Sequence, residues 1–231
     1  MWRLDLRVLA VDTRDLSRRY GPRWALARVD LAIEPGERFL IVGANGSGKT
    51  TLLRILATAL PPTQGTLKLF GRDPEEHLFQ CRRELALLSH LPSIYQDLSG
   101  PQNLRVFLDL LGREEPVEPW LERVGLEIRD DPVSSYSAGM KKRLSFARML
   151  AQKPLLALID EPYGQLDPAG FSFIDELLVE LSEQGTTVVV ASHHVDRARH
   201  LCQRALLLDQ GQVRWTGPAQ DIDRAWDVLH P

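Results

Sequence analysis

Cysteine is scarce in this 231-residue chain: Cys81 and Cys202 are the two it has, far apart and without CxxC or CxxH spacing. That argues against a disulfide framework, a zinc site and covalent haem attachment, and makes reduced thiols the expectation. Long hydrophobic runs are missing as well. The opening "MWRLDLRVLAVDTRDL" is broken by charge every few residues and holds no apolar stretch of signal-peptide length. No later run reaches the roughly 18 residues of a membrane span. Nor is there an excess of charge. A net charge of −3 offers no whole-molecule attraction to nucleic acid or to an anionic membrane, so any anion site has to be local. Internal repeats and low-complexity stretches are absent too, so the architecture must be read from alternating strand and helix patterns.

What is present is an ordinary globular composition, 44% hydrophobic and 26% charged, sufficient for a sizeable core. The expected organisation is one domain over 1–231 in three blocks. Residues 1–88 read as strand-rich, with strands at "ALARVDLAIE", "RFLIVG" and "GTLKLFG" and a helix opening at Gly48. Residues 89–152 read as helical: Ser99 and Gln102 form a capping box ahead of "NLRVFLDLLG", and "EPWLERVGL" follows. Residues 153–231 return to strand and helix. "LLALID" is followed by Asp167 as N-cap with Pro168 at the first helical position, a helix ending at Gly185, the strand "TTVVVAS" and a hairpin around "LLLDQGQVRWTG". The expected fold class is α/β: a mainly parallel sheet covered on both faces, with the middle block as a helical insertion.

Two stretches carry phosphate chemistry. "GANGSGKT", residues 43–50, fits G-x-x-x-x-G-K-[ST] and lies between a buried strand and a helix, as that motif requires. Its glycines let backbone N–H groups close around phosphate oxygens. Lys49 reaches the terminal phosphates and the Thr50 hydroxyl can ligate magnesium. "LLALIDEP", residues 155–162, ends an apolar strand in two adjacent carboxylates, a costly place for charge unless a cation or a reacting water uses it. Asp160 is the candidate magnesium partner and Glu161 the candidate general base. His193 ends another strand at the same sheet edge, placed to hold a γ-phosphate and the water together. His77, His194, His200 and His230 carry a structural reading only.

"YSAGMKKRLSFARML", residues 136–150, offers no nucleophile, yet a Ser-x-Gly turn opens a helix whose first turn holds Lys141, Lys142 and Arg143. Cations suit the other end of a helix. The stretch therefore reads as built to hold an anion.

The ordered set "GANGSGKT", "YSAGM", "LLALIDEP", "GQLD" and "SHH" resembles the ATP-binding subunits of ABC transporters, over essentially the whole chain. The resemblance implies a P-loop NTPase core with an N-terminal antiparallel β portion and an inserted helical subdomain carrying the signature turn. It implies ATP and Mg²⁺ bound by Gly43, Asn45, Gly46, Ser47, Gly48, Lys49, Thr50 and Thr51, with Tyr20 stacking on adenine and His193 as the switch histidine. Ser137, Gly139 and the helix start after them would complete the phosphate site of a partner subunit, with Asp167 making a cross-dimer contact. The anion at the Ser-x-Gly turn is then the neighbour's ATP.

The chain departs from the family pattern twice. "YSAGM" stands where Leu-Ser-Gly-Gly-Gln is usual, keeping the serine and second glycine that touch phosphate. His90 stands at the Q-loop position, where glutamine is usual. The implied protein is an ATPase, homodimeric or heterodimeric with a similar subunit. It is peripheral on the cytoplasmic face of the inner or plasma membrane, works with integral membrane transporter subunits, and binds no nucleic acid. A soluble ABC-type ATPase acting on nucleic acid or the ribosome is the alternative; such proteins usually carry tandem ATPase domains or a long coiled-coil insertion. Short length, "SH" and "DEPYGQLDPAG" are similar to the haem-exporter ATPases of cytochrome c maturation.

Overall fold

The short apolar runs become the buried middle of a sheet. A computed structural model describes residues 8–89, 93–164, 168–193 and 195–229. In chain order the elements are β1 (Val11–Tyr20), β2 (Arg23–Ile33), β3 (Arg38–Val42), α1 (Lys49–Leu56), β4 (Gln64–Leu69), α2 (Leu78–Glu84) and β5 (Leu85–Leu88). Then come α3 (Gly100–Leu110), α4 (Glu118–Arg123) and α5 (Ala138–Gln152). The chain returns through β6 (Leu156–Asp160), α6 (Pro168–Glu183), β7 (Thr187–Ala191), α7 (Val195–Ala198), β8 (Arg204–Asp209), β9 (Gln212–Pro218) and α8 (Ile222–Leu229).

Among the described residues, six strands form one sheet in the order β5-β6-β7-β3-β8-β9. Pairing is parallel from β5 to β8, and the β8–β9 hairpin adds an antiparallel edge. β3, β6 and β7 are apolar at almost every position because both faces are covered. Leu40, Val42, Ala157, Ile159, Val188 and Val190 face one core, while Phe39, Ile41, Leu156, Leu158, Val189 and Ala191 face the other. The second core is closed by the three-stranded antiparallel sheet β2-β1-β4.

α3, α4 and α5 form the helical insertion between β5 and β6. Ser99 caps α3 with the expected box: its Oγ accepts the Gln102 N–H at 3.3 Å, and Gln102 Oε1 accepts the Ser99 N–H at 2.9 Å. In α5, Leu144, Ala147, Leu150 and Ala151 are buried, as their spacing requires. α6 starts at Pro168; Asp167 lies outside the described residues. β1, α2, β5, α7 and α8 are additions to the sequence reading. β1, "VDTRDLSRRY", carries five charges in ten residues, and register shifts at Thr13/Leu16, Leu16/Arg18 and Arg18/Arg19 break its two-residue alternation.

Candidate functional site

β3 delivers the glycine-rich loop at its carboxyl end, where open α/β sheets take their ligands. Gly43 follows the strand, and no side chain fits there: a Cβ would lie 2.2 Å from the Leu208 carbonyl oxygen and 2.4 Å from Ser47 Oγ. Gly48 precedes α1 with φ 112, where a Cβ would also meet the Ala25 carbonyl oxygen at 2.6 Å. Lys49 Nζ donates to the Gly43 carbonyl at 2.7 Å and to the Ala44 carbonyl at 3.2 Å. Burial pushes the Lys49 ammonium below the usual lysine range, against the opposing pull of Glu161 and Asp160. Ser47 Oγ is buried without a hydrogen-bond partner among the described residues. The loop therefore holds polar capacity its own fold leaves unspent, as a phosphate cradle should.

β6 and β7 bring the other groups to the same edge. Asp160, 3% exposed at the end of β6, accepts the Thr50 hydroxyl at 2.7 Å. Magnesium takes oxygen ligands and is usually held by one or two protein groups together with phosphates and waters. Thr50 and Asp160, two oxygen donors touching beside the cradle, fit that demand.

Glu161 turns the chain with φ 51, a disfavoured region for a residue with a side chain. Such strain persists where the surroundings over-determine it. Here the Glu161 N–H donates to the Ala191 carbonyl at 2.8 Å, and its carbonyl accepts from Lys142 Nζ at 2.9 Å. The carboxylate meets His193: Oε2 lies 2.8 Å from Nδ1, and Oε1 accepts the His193 backbone N–H at 3.1 Å.

Tyr20, residues 45–51, Asp160, Glu161 and His193 thus line one cleft of about 1400 Å³. Gly43 sits beneath it, against Ser47. Ser137 and Gly139 do not line it. They lie at the start of α5, where Ser137 is exposed and its Oγ accepts the Met140 N–H at 3.2 Å. His90 and Asp167 lie outside the described residues.

The three cations that the sequence places together at the start of α5 part company. Arg143 Nη1 donates to the Val124 carbonyl at 2.5 Å, and its guanidinium lies 5.1 Å from the Phe173 ring. Lys141 reaches the Ser134 carbonyl at 3.5 Å. Lys142 is buried and turns toward Glu161 of the same chain. Sequence reasoning missed Trp24, and although it read the β8–β9 hairpin it missed that hairpin's contact with the phosphate loop. Trp24 lines the cleft across the β1–β2 hairpin from Tyr20, and the Gly211 N–H props the loop by donating to the Ser47 carbonyl at 2.8 Å. The short gap between Tyr20 and Trp24 around Gly21 and Pro22 was the available signal for the former; the latter had none.

Burial pushes the Lys142 ammonium down to about 8, outweighing Asp160 and Glu161, which raise it. Its charge is therefore a cost to folding, fully present below about pH 8 and relieved as pH climbs toward the unfolded value of about 10.4. In urea titrations the parent should gain on the order of 1–3 kcal/mol between pH 8 and 10 relative to Lys142→Met. Parallel pH profiles for the two proteins would contradict this placement.

The ABC transporter family profile matches residues 26–164, more than half of the chain. The chain is 32% identical to the bacitracin transport ATP-binding protein BcrA of Enterococcus faecalis, over 88% of this chain and 67% of that protein. It is 32% identical to the lantibiotic transport ATP-binding protein SrtF of Streptococcus pyogenes, over 87% of each. It also superposes on a dimeric ATP-binding cassette in a post-hydrolysis state bound to ADP and Pi, with TM-score 0.80 and 27% identity, over 90% of this chain and 98% of that one.

Proposed function

This chain belongs to the ABC transporter family as an ATP-binding, ATP-hydrolysing subunit, and from that premise we propose that two such subunits close around two ATP–magnesium pairs and drive a separate membrane subunit. One observation carries the reading. Lys49, Thr50, Asp160, Glu161 and His193 converge on one cleft, with Thr50 bonded to Asp160 and Glu161 bonded to His193, while Ser137 and Gly139 stay outside it. The cleft is half of a site, and its missing half is the partner's signature turn.

In this reading the loop amides and Lys49 hold the β- and γ-phosphates, and Tyr20 stacks on the adenine. Magnesium, held by Thr50 and Asp160, would neutralise charge on the phosphate oxygens. Glu161 takes a proton from the attacking water as the oxygen bonds to the γ-phosphorus and the bond to the bridging oxygen of ADP breaks. His193 orients the carboxylate and reaches the γ-phosphate. Ser137 and Gly139 touch the γ-phosphate held by the partner subunit. His90 is assigned by the sequence to the family's glutamine position.

No helix among the described residues is long and apolar enough to cross a membrane; family membership is what supports assigning the pathway to other subunits and this one to the cytoplasmic face. The names of the relatives, which concern bacitracin and lantibiotic transport, favour export of a small molecule over action on nucleic acid or the ribosome. Haem falls within that class.

Mixing tests the composite site. Lys49→Ala and Ser137→Arg should each be inactive as homodimers. Heterodimers place both lesions in one site and leave the other intact, so activity should return when the two proteins are mixed. Activity in the Ser137→Arg homodimer, or none after mixing, would contradict the arrangement.

A further inference from the structure

Backbone bonds pin Glu161 to Ala191 and Lys142, but neither the turn after it nor the chain after His193 is a long regular element. Glu161 sits on a strained turn. The chain after His193 enters α7, which is four residues long. Isolated helices of that length are unstable, because nucleation fixes several dihedrals for a single hydrogen bond. Both segments are gripped by one side chain on α6. Asp175 Oδ1 accepts the Tyr163 hydroxyl at 2.8 Å. Its Oδ2 accepts from Arg197 Nε at 2.7 Å, with Arg197 Nη2 at 2.5 Å.

Apolar packing keeps this contact in register. Tyr163 is 1% exposed and meets Phe171 edge-on, ring centroids 5.6 Å apart at 81°. The Arg197 guanidinium lies 5.3 Å from the Phe171 centroid and 5.8 Å from that of Tyr163. Tyr163 follows Glu161 by two residues, and Arg197 follows His193 by four. We infer that Asp175 is a positioning residue for ATP hydrolysis: it clamps Tyr163 to Arg197 and so sets how the Glu161 carboxylate meets His193. The inference rests on Glu161 being the base.

Magnitudes separate this role from an ordinary ion pair. The Arg197 and Asp175 side chains are 37% and 22% exposed, and pairs so open to solvent add little stability. A reacting group displaced by about 1 Å, by contrast, can cost 10²-fold in rate. Loss of the clamp should therefore show in catalysis far more than in melting.

The test measures kcat, KM for ATP and melting temperature for Tyr163→Phe, Asp175→Asn, Arg197→Gln and Arg197→Lys, each in the parent and in Glu161→Gln. In the parent, Arg197→Gln and Asp175→Asn should lower kcat by about 10- to 100-fold with KM within about 2-fold. Arg197→Lys should recover part of that loss, since it keeps a cation opposite Asp175. Tyr163→Phe removes a single hydroxyl without threatening the fold and should lower kcat in the same direction. In Glu161→Gln the same changes should leave the residual rate unaltered, because the base they position is gone. Equal losses in both backgrounds, a rise in KM at constant kcat, or unchanged kcat in Tyr163→Phe and Arg197→Gln would overturn the clamp. A Glu161→Gln protein as active as the parent would instead overturn the reading of the base itself.

Discussion

Replacing Glu161 by glutamine is expected to slow ATP hydrolysis by about 10²–10⁴-fold, the usual range for loss of a general base, while ATP still binds. The substitution keeps the shape of the side chain and leaves an amide oxygen able to accept the His193 N–H, now 3.1 Å from Oε1. What it removes is the ability to take a proton from water. The backbone should be undisturbed, because Lys142 and Ala191 hold Glu161 through its carbonyl and N–H. Closure needs phosphate contacts and reopening needs their loss, so the variant should accumulate as an ATP-bound dimer. Single-turnover kinetics and sedimentation with and without ATP check both parts. Hydrolysis at the parent rate would remove Glu161 from the role of base.

Lys49→Ala should abolish tight ATP binding. Lys49 is 6% exposed, and its Nζ, now bonded to the Gly43 and Ala44 carbonyls, is the loop's own cation. Hydrogen bonds to charged groups contribute about 1.5–3 kcal/mol each, so two lost phosphate contacts correspond to roughly 10²–10⁴-fold in affinity. Electrostatics act in the same direction. Without Lys49, a polyanion would approach Asp160 and Glu161 with Lys142 left as the cation turned toward them. Titration calorimetry with Mg-ATP on both proteins measures the difference, and an affinity within about 3-fold of the parent would contradict the assignment. The two variants separate the roles: one loses binding, the other keeps binding and loses chemistry.

Legibility followed locality. The phosphate loop could be read directly because its geometry is set by adjacent residues: the buried run of β3, a backbone at Gly48 that only glycine adopts readily, and α1 starting at Lys49. The same holds for the Ser99–Gln102 box and for the helix that opens at the Ser-x-Gly turn. β1 was missed because bulges interrupt its alternation and Asp15 adopts φ 49 within it, a break no periodicity rule anticipates. The inward turn of Lys142 was illegible for a different reason. Helical spacing showed three neighbouring cations but not that one of them faces inward.

By itself the sequence determined the alternating α/β class, the helical insertion, the phosphate loop and which carboxylates and histidine to suspect. Those are properties of short segments, set by side-chain periodicity, glycine and capping. The tertiary structure alone decided which of these groups touch. Thr50 meets Asp160 across 110 positions of sequence. Glu161 meets His193, Lys142 meets the Glu161 carbonyl, and Arg197 meets Asp175 only after the chain has crossed between elements. Parallel pairing places β6 beside β7 and β7 beside β3, and a shift of one residue in either register would turn the strand-end side chains to the opposite face. Burial of both sheet faces selects the register, and the register sets the distances at which the reacting groups meet.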